Sequence, residues 1–290
     1  MPELPEVETV RRGLQKLLVG HTVQSVESDW AKSFPNSQTD VDKFLIGATV
    51  TDIRRRAKVL LVDLSSGYSL VIHLKMTGQL VYVAESERFG AGHPTDSLIG
   101  KLPDRSTRVL FRLDHGANLY FNDQRKFGWV RLYPTVEIPN IDFMRRVGPE
   151  PLEDSFTFAD FRSQLSRRQN TTIKAALLDQ SVIAGVGNIY ADEALWGARI
   201  HPATRVRDIS DAKLRKLFTE LRYVLELSIE KGGSTDRNYV NAEGKKGSYI
   251  DFARVFRREG LPCPRCGATI VKSRVAGRGT HTCPVCQKQG

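Results

Sequence analysis

The chain has 290 residues, 40% of them hydrophobic, which suggests about two domains with real cores. A formal charge of +10 and a pI near 9.5 point to an anionic partner, most simply nucleic acid. The opening residues carry Glu3, Glu6 and Glu8 in place of a signal peptide's apolar stretch, and no apolar run approaches the ~20 residues of a membrane span, so a cytoplasmic location is expected.

The first six residues are Met1-Pro2-Glu3-Leu4-Pro5-Glu6. If Met1 is removed, which a small second residue permits, the chain begins with a secondary amine. An amino terminus titrates near ~8 and a lysine near ~10.4, so at neutral pH the terminus is the more often neutral and nucleophilic. A secondary amine that condenses with a sugar aldehyde gives an iminium ion, an electron sink that needs no added proton. Glu3, one residue away, suits proton transfer. Alone, the same residues read more simply as a helix start. After Pro5, Val7, Val10, Leu14, Leu17 and Leu18 recur at helical spacing and Gly20 is a stop signal, which predicts a helix that anchors the terminus.

From residue 50 to 133 the apolar period drops to two. Segments 59–64 and 69–73 read as a hairpin across Ser65-Ser66-Gly67, and 79–83 follows. Val109, Phe111 and Leu113 alternate with polar residues, Asp114-His115-Gly116 turns into 118–122, and 129–133 completes the set. Many short strands with turn signals predict a sandwich or a barrel. The polar, Gly-rich stretch 84–104 reads as a surface loop and the proline-rich 134–151 as a linker.

Beyond the linker the chain reads as helical. Short helices are predicted over 172–178 and 189–198, joined through Gly185-Val186-Gly187-Asn188, with Asn188 at the second helix's N-cap. Exposed amides at that helix start suit a phosphate. Ser210 caps a longer helix with a stripe of Leu214, Leu217, Phe218, Leu221, Val224 and Leu225. The stretch 231–248 is Gly- and charge-rich and reads as a mobile loop. Cys263-x2-Cys266-x16-Cys283-x2-Cys286 fits a four-cysteine zinc site, closed and therefore structural; disulfides or a redox pair are the alternatives. Between the cysteine pairs a hairpin is expected with Gly277-Arg278-Gly279 at its tip, where a guanidinium between two glycines can approach a phosphate closely.

Four of these motifs occur in one order: Pro2-Glu3-Leu4-Pro5-Glu6, Asn122-Asp123-Gln124-Arg125-Lys126-Phe127-Gly128, Gly185-Val186-Gly187-Asn188-Ile189-Tyr190, and the Gly277-Arg278-Gly279-Thr280-His281 cysteine module. Together they resemble the bacterial formamidopyrimidine-DNA glycosylases, also called 8-oxoguanine DNA glycosylase/AP lyases, from residue 2 to the last cysteine. The resemblance implies an α+β protein of two domains: an N-terminal β-sandwich flanked by helices, and a C-terminal helical domain with a helix–two-turn–helix and a four-cysteine zinc finger. DNA would bind in the cleft between the domains. The expected divisions are 1–134, a linker over 135–151, 152–259, and the finger over 260–290.

The implied activity is excision of oxidised purines from duplex DNA, followed by β,δ-elimination at the abasic site. In that frame Pro2 attacks C1′, Glu3 is the general acid/base that opens the sugar, and Glu6 supports the terminus. Lys58 and Arg278, counted with the catalytic set, hold phosphates around the lesion together with His73 and Asn188. Met76, Arg125 and Phe127 fill the gap left by the extruded nucleotide. One structural zinc, lesion-bearing or abasic double-stranded DNA as the partner, a monomeric state and a bacterial cytoplasmic location complete the expectation.

There are departures from the family pattern. A histidine-containing stretch common near residues 104–108 is absent, the insertion 85–101 is long, and Lys126 stands where a second arginine is frequent. The stretch 232–249, where relatives hold the lesion base, is not readable for specificity. Two rival readings remain. One is the sister endonuclease VIII-type glycosylase for oxidised pyrimidines, against which Leu4-Pro5 and Arg125-x-Phe127 weigh. The other is a silent zinc protein that only binds damaged DNA, favoured if Met1 is retained.

Overall fold

The amphipathic run behind Pro5 forms helix α1, Leu4–Leu17, with Val7, Val10 and Leu14 fully buried. Gly20, in a left-handed conformation (φ +94°), ends the segment. In this computed structural model, which describes residues 2–93, 95–234 and 249–289, the chain divides into two units. One is Met1–Arg145 with Lys231–Ser248, the other Arg146–Glu230 with Tyr249–Gly290.

The first unit holds strands β1 (Val23–Ser28), β2 (Val50–Arg56), β3 (Val59–Leu64), β4 (Tyr68–His73), β5 (Gly78–Val83), β6 (Arg88–Gly92), β7 (Thr107–Leu113), β8 (Asn118–Asp123) and β9 (Trp129–Pro134). They make two antiparallel sheets, ordered β1-β7-β8-β5-β6 and β2-β3-β4-β9. Alternation decides the layering. Leu60, Val62, Leu70 and Ile72 of one sheet share a core with Leu80, Val109, Phe111, Leu119 and Phe121 of the other and with α1. The side chains of opposite parity, Val59, Leu61 and Val71, lie under Ile138 and Met144 on the outer face. Of the two folds that the strand pattern allowed, the chain takes the sandwich, because the sheets stay open and face each other across one core.

Three local readings are corrected. The stretch 84–104 is not a plain surface loop. It contains β6, whose Phe89 and Ala91 are buried, and a 3-10 turn, Asp96–Leu98, in which Leu98 is buried. Gly13 makes room for this insertion, since a Cβ there would lie 2.0 Å from the Phe89 ring. The proline-rich stretch is partly folded as well: Thr135–Asn140 is a 3-10 segment and Asp142–Arg146 a helical turn, with Ile138 and Met144 packed onto the sheet. The hairpin between the cysteine pairs is longer than expected, with strands over Val271–Val275 and Arg278–Thr282.

In the second unit, α2 (Phe158–Ser166), α3 (Ile173–Leu178), α4 (Asn188–Ala198) and α5 (Asp211–Glu230) surround a core that includes Leu177, Tyr190, Leu195, Leu217, Leu221 and Leu225. Thr157 and Thr172 cap α2 and α3, each accepting from a backbone amide in the first turn. At α4 the N-cap is Gly187, in an extended conformation, and Asn188 is the first helical residue rather than the cap. Glu193 of α4 is fully buried and accepts from the amides of Arg254, Val255 and Phe256 at 2.9, 2.9 and 2.8 Å, which fixes the returning chain. Strands β10 (Val271–Val275) and β11 (Arg278–Thr282) form the last sheet. Among the described residues no helix is long and apolar enough to cross a membrane. Of the loop expected over 231–248, residues 235–248 lie outside the described residues, as does Met1.

Candidate active site, nucleic-acid interface and metal centre

The terminus is fixed by its own acids. Pro2, Glu3 and Glu6 are all buried. One oxygen of Glu6 accepts the amide of Glu3 at 2.7 Å, and the other accepts the amide of Ser234 at 2.7 Å. Glu6 therefore ties the entry to α1 to the residues that follow α5 in sequence. Gly233 (φ +91°) permits this approach: a Cβ there would lie 3.2 Å from Cγ of Glu6. Glu8, further along the helix, pairs with Arg11, Arg12 and Arg55 at 2.9 to 3.1 Å. Those hydrogen bonds and charges hold its carboxyl below the usual range even though burial opposes them.

On the smaller sheet, Lys58 directly precedes Val59, the cross-strand partner of His73. Ala57 before it is left-handed (φ 52°), which makes the tight turn between β2 and β3. Burial, and then the charges of Lys75 and Lys58, push the His73 imidazole down to about 3, and its Nδ1 accepts the Lys75 amide at 3.0 Å. The ring is therefore neutral at physiological pH, with its proton on Nε2.

Two turns beside this sheet carry exposed side chains. Met76 is 39% and Phe127 53% exposed, high for large apolar residues. Arg125 donates to Met76 Sδ at 3.1 Å and lies 5.0 Å from the centre of the Phe127 ring. Lys126 lies 4.3 Å from the centre of the Trp30 ring. A cationic, partly apolar projection of this kind suits a base stack next to phosphates.

In the second unit the helix joint and the hairpin are one assembly. Asn188 Nδ2 donates to the Gly279 carbonyl at 3.0 Å. Lys174 Nζ, fully buried, bonds Asp192 at 2.6 Å, Thr280 Oγ1 at 2.7 Å and the same Gly279 carbonyl at 3.1 Å. The second oxygen of Asp192 accepts the His281 amide at 2.9 Å. The turn ahead of α4 is organised by Gln180, which donates to the Val186 carbonyl at 2.8 Å and accepts from the Gly185 amide at 3.0 Å. Arg278, expected at the hairpin's tip, is the first residue of β11 and pairs with Val275; the left-handed Ala276 and Gly277 make the tip. It remains exposed, one residue from the carbonyl that Asn188 and Lys174 hold.

The sulfurs of Cys263, Cys266, Cys283 and Cys286 all lie within 4.8 Å of one another, with Cys263–Cys286 at 4.0 Å and Cys266–Cys283 at 3.4 Å. These separations exceed the ~2.05 Å of a disulfide and approach the roughly 3.8 Å edge of a tetrahedron with ~2.3 Å zinc–sulfur bonds. Four thiolates with that spacing fit one zinc and leave no open position for substrate. Trp196 of α4 packs against this module, with the Arg265 guanidinium 3.8 Å from its ring centre.

Comparison with known proteins agrees with this geometry. Residues 1–130 match the family model described as formamidopyrimidine-DNA glycosylase N-terminal domain, residues 147–239 its H2TH domain, and residues 260–289 the zinc finger found in FPG and IleRS. The chain belongs to the formamidopyrimidine-DNA glycosylase family. Within it, the chain is 43% identical to the formamidopyrimidine-DNA glycosylase of Herpetosiphon aurantiacus, over 99% of this chain and 100% of that one. It is 41% identical to that of Pelotomaculum thermopropionicum, over 99% of both chains. Among solved structures it resembles Lactococcus lactis Fpg in complex with abasic-site DNA (TM-score 0.87, 33% identity, 99% and 100% covered). It also resembles the MutM (FPG) protein of Thermus thermophilus (TM-score 0.84, 39% identity, 100% of both chains covered).

Against the family reading, the first unit brings Lys58 beside His73 and sets Met76, Arg125 and Phe127 side by side, and the second brings Asn188 to the Arg278 hairpin. The sequence reading missed the residues that hold these groups. Asp123 lies inside the 122–128 motif, but nothing in the spacing marks its carboxyl as buried, and Ser234 gives no pattern. Lys174 and Asp192 sit among helix residues where a charge ordinarily faces water, so nothing in the spacing marked them as buried.

Proposed function

We propose that the chain excises oxidised purines, 8-oxoguanine and formamidopyrimidines, from duplex DNA and cleaves the resulting abasic site by β,δ-elimination. The nucleophile is the amine of Pro2 after removal of Met1. The observation that carries this reading is the terminal arrangement: Pro2 is buried at the start of a fixed helix, next to the buried carboxyl of Glu3, whose amide is held by Glu6. Pro2 lies behind Met1 in the chain, so the reading requires that processing uncover its nitrogen.

The nitrogen lone pair attacks C1′ and the base departs with the glycosidic electrons, taking up in net the proton that the nitrogen gives up. Glu3 delivers a proton to the ring oxygen as the sugar opens. Through the iminium that results, the C2′ proton passes to the Glu3 carboxylate as the 3′ phosphate leaves, loss of the C4′ proton to solvent expels the 5′ phosphate, and water hydrolyses the iminium to free the amine. Lys58, neutral His73, Asn188 and Arg278 hold phosphates, which fixes the strand without reading its bases. Met76, Arg125 and Phe127 occupy the space of the extruded nucleotide and offset an unstacking cost of a few kcal/mol. The four cysteines would hold one zinc, which would staple the hairpin that carries Arg278. The protein acts as a monomer in the cytoplasm, on chromosomal DNA.

Two lines support the substrate class. The relatives bear the name formamidopyrimidine-DNA glycosylase, and wild-type Lactococcus lactis Fpg has been solved with an N7-Benzyl-Fapy-dG containing DNA. Borohydride reduction during reaction with an 8-oxoguanine duplex should give a covalent protein–DNA adduct whose peptide map ends at Pro2. Protein whose first residue is verified as proline but which forms no adduct refutes the proposal. Faster excision of thymine glycol than of 8-oxoguanine would overturn the purine assignment alone.

A further inference from the structure

We propose that Asp123 is a positioning residue for the inserting side chains: its buried carboxylate locks the Met76 turn to the Arg125–Phe127 turn, so that the three side chains enter DNA as one wedge. The inference rests on the wedge reading given above, and it concerns what makes the wedge stiff.

Asp123 ends β8, where its backbone partner is Gly78 at the start of β5, and its side chain is fully buried. Oδ1 accepts from the Thr77 hydroxyl and, at 3.1 Å, from the amide of Arg125. Oδ2 accepts from the amide of Gly128 at 2.6 Å. The Arg125 amide is also 3.1 Å from Thr77 Oγ1, so Thr77, Arg125 and Asp123 close a three-membered ring of hydrogen bonds. Thr77 follows Met76 in the chain, and Gly128 follows Phe127. One carboxylate thus grips both turns next to the residues that project.

A firm grip matters because the contacts of Arg125 with Met76 Sδ and with the Phe127 ring tie the projections to one another rather than to the core. Met76 and Phe127 are among the exposed large apolar side chains, so packing does not set their direction. Both turns also contain non-glycine residues in left-handed conformations, Lys75 at φ 51° and Lys126 at φ 57°. Such conformations are strained for residues with a Cβ and persist only where neighbours over-determine them. Gly128 contributes by its smallness. A Cβ there would meet the Phe121 ring at 2.7 Å and Asp123 Oδ2 at 3.1 Å, so glycine keeps the amide on the carboxylate.

A carboxylate suits this post better than an amide. It accepts on both oxygens, whereas asparagine presents one acceptor and one donor, and its NH2 group would face an N–H. Burying the charge is costly unless it is hydrogen-bonded throughout, and here three donors compensate it. A wedge that must displace stacked bases loses its effect if its parts yield separately, since a misplacement of ~1 Å costs on the order of 100-fold in rate.

The test uses zinc-loaded full-length protein and Thr77→Val, which removes the hydroxyl at nearly constant volume, with Thr77→Ser to return it. Asp123→Asn is a second probe, used if it folds. Two DNAs are compared under single turnover: an 8-oxoguanine paired with cytosine in duplex, and a preformed abasic site facing an abasic analogue, where no base must be displaced or orphaned. Thr77→Val should slow excision from the first by about tenfold or more while cleaving the second at close to the wild-type rate, and Thr77→Ser should recover both. Equal losses on both DNAs, or no loss on the first, overturn the proposal.

A second readout needs no turnover. With 2-aminopurine opposite an abasic analogue, binding of the wild-type protein should change the probe's fluorescence, and saturating Thr77→Val should change it less. A wild-type amplitude in that variant also overturns the proposal. If the wild-type protein cleaves neither DNA, the glycosylase reading fails, and the fluorescence still decides the role of the grip.

Discussion

His73 shows how a single residue is tuned by its neighbours. Placing a third cation between Lys58 and Lys75 would be repulsive, and burial adds to that, so the ring stays neutral with Nδ1 occupied by the Lys75 amide. Its Nε2–H therefore stays available as a donor across the physiological range, as the proposed phosphate contact requires. The stability consequence has a definite sign. An unfolded histidine titrates near ~6.5 and the folded one at about 3, so within that window only the unfolded chain carries the proton. Stability should therefore be complete above pH ~6.5 and fall as the pH drops toward 3, with a slope approaching about 1.4 kcal/mol per pH unit from this group. His73→Gln should remove that slope. Urea unfolding across about pH 4 to 7 measures it, and an unchanged slope in the variant would show that another group is responsible.

At the scale of elements, the join between α3, α4 and the β10–β11 hairpin depends on a buried ion pair. Lys174 and Asp192 are both fully buried and 2.6 Å apart, and each also bonds the hairpin. Such a pair need not be more stable than a hydrophobic replacement, but losing one partner strands the other charge. Lys174→Met should cost about 3–5 kcal/mol in denaturant unfolding of the second unit, and Lys174→Met with Asp192→Leu should recover part of it. A loss below about 1 kcal/mol in the single variant would mean that water reaches Asp192. Elements with strong periodicity were legible from the sequence: α1, the β3–β4 hairpin and α5 follow their apolar spacing. Strand β6 was not, because Arg88-Phe89-Gly90-Ala91-Gly92 is short, glycine-rich and stabilised by pairing with β5 and by contact with α1. At the start of α4 the cap falls on Gly187, and Asn188 turns instead to the Gly279 carbonyl. Propensity gave way there to a contact 91 residues away in sequence.

For the whole molecule, the charge of +10 makes DNA affinity a matter of counterions as much as of contacts. The logarithm of the binding constant should fall linearly with the logarithm of salt concentration. Arg278→Ala should weaken binding and make that slope shallower by about one phosphate contact. Fluorescence anisotropy over a salt series on lesion-bearing duplex measures it, and a variant with the wild-type slope would remove Arg278 from the phosphate contacts. Two units built on separate cores carry these groups, and the first includes residues that follow α5 in sequence, so a reading in chain order could not assign them.

By itself the sequence determined the family, the four-cysteine cluster, the helix behind the terminus and the apolar alternation of most strands. These are properties of near neighbours along the chain: spacing of cysteines, period of side chains, residue types at turns. Tertiary structure alone decided that the strands form an open sandwich, that Ser234 reaches Glu6, and that Lys174 and Asp192 lie dry beneath the hairpin. It also decided that Asp123 grips two turns at once. Each of these contacts joins residues far apart in the chain, and whether a charge is buried against a partner or left in water depends on packing that no local pattern records.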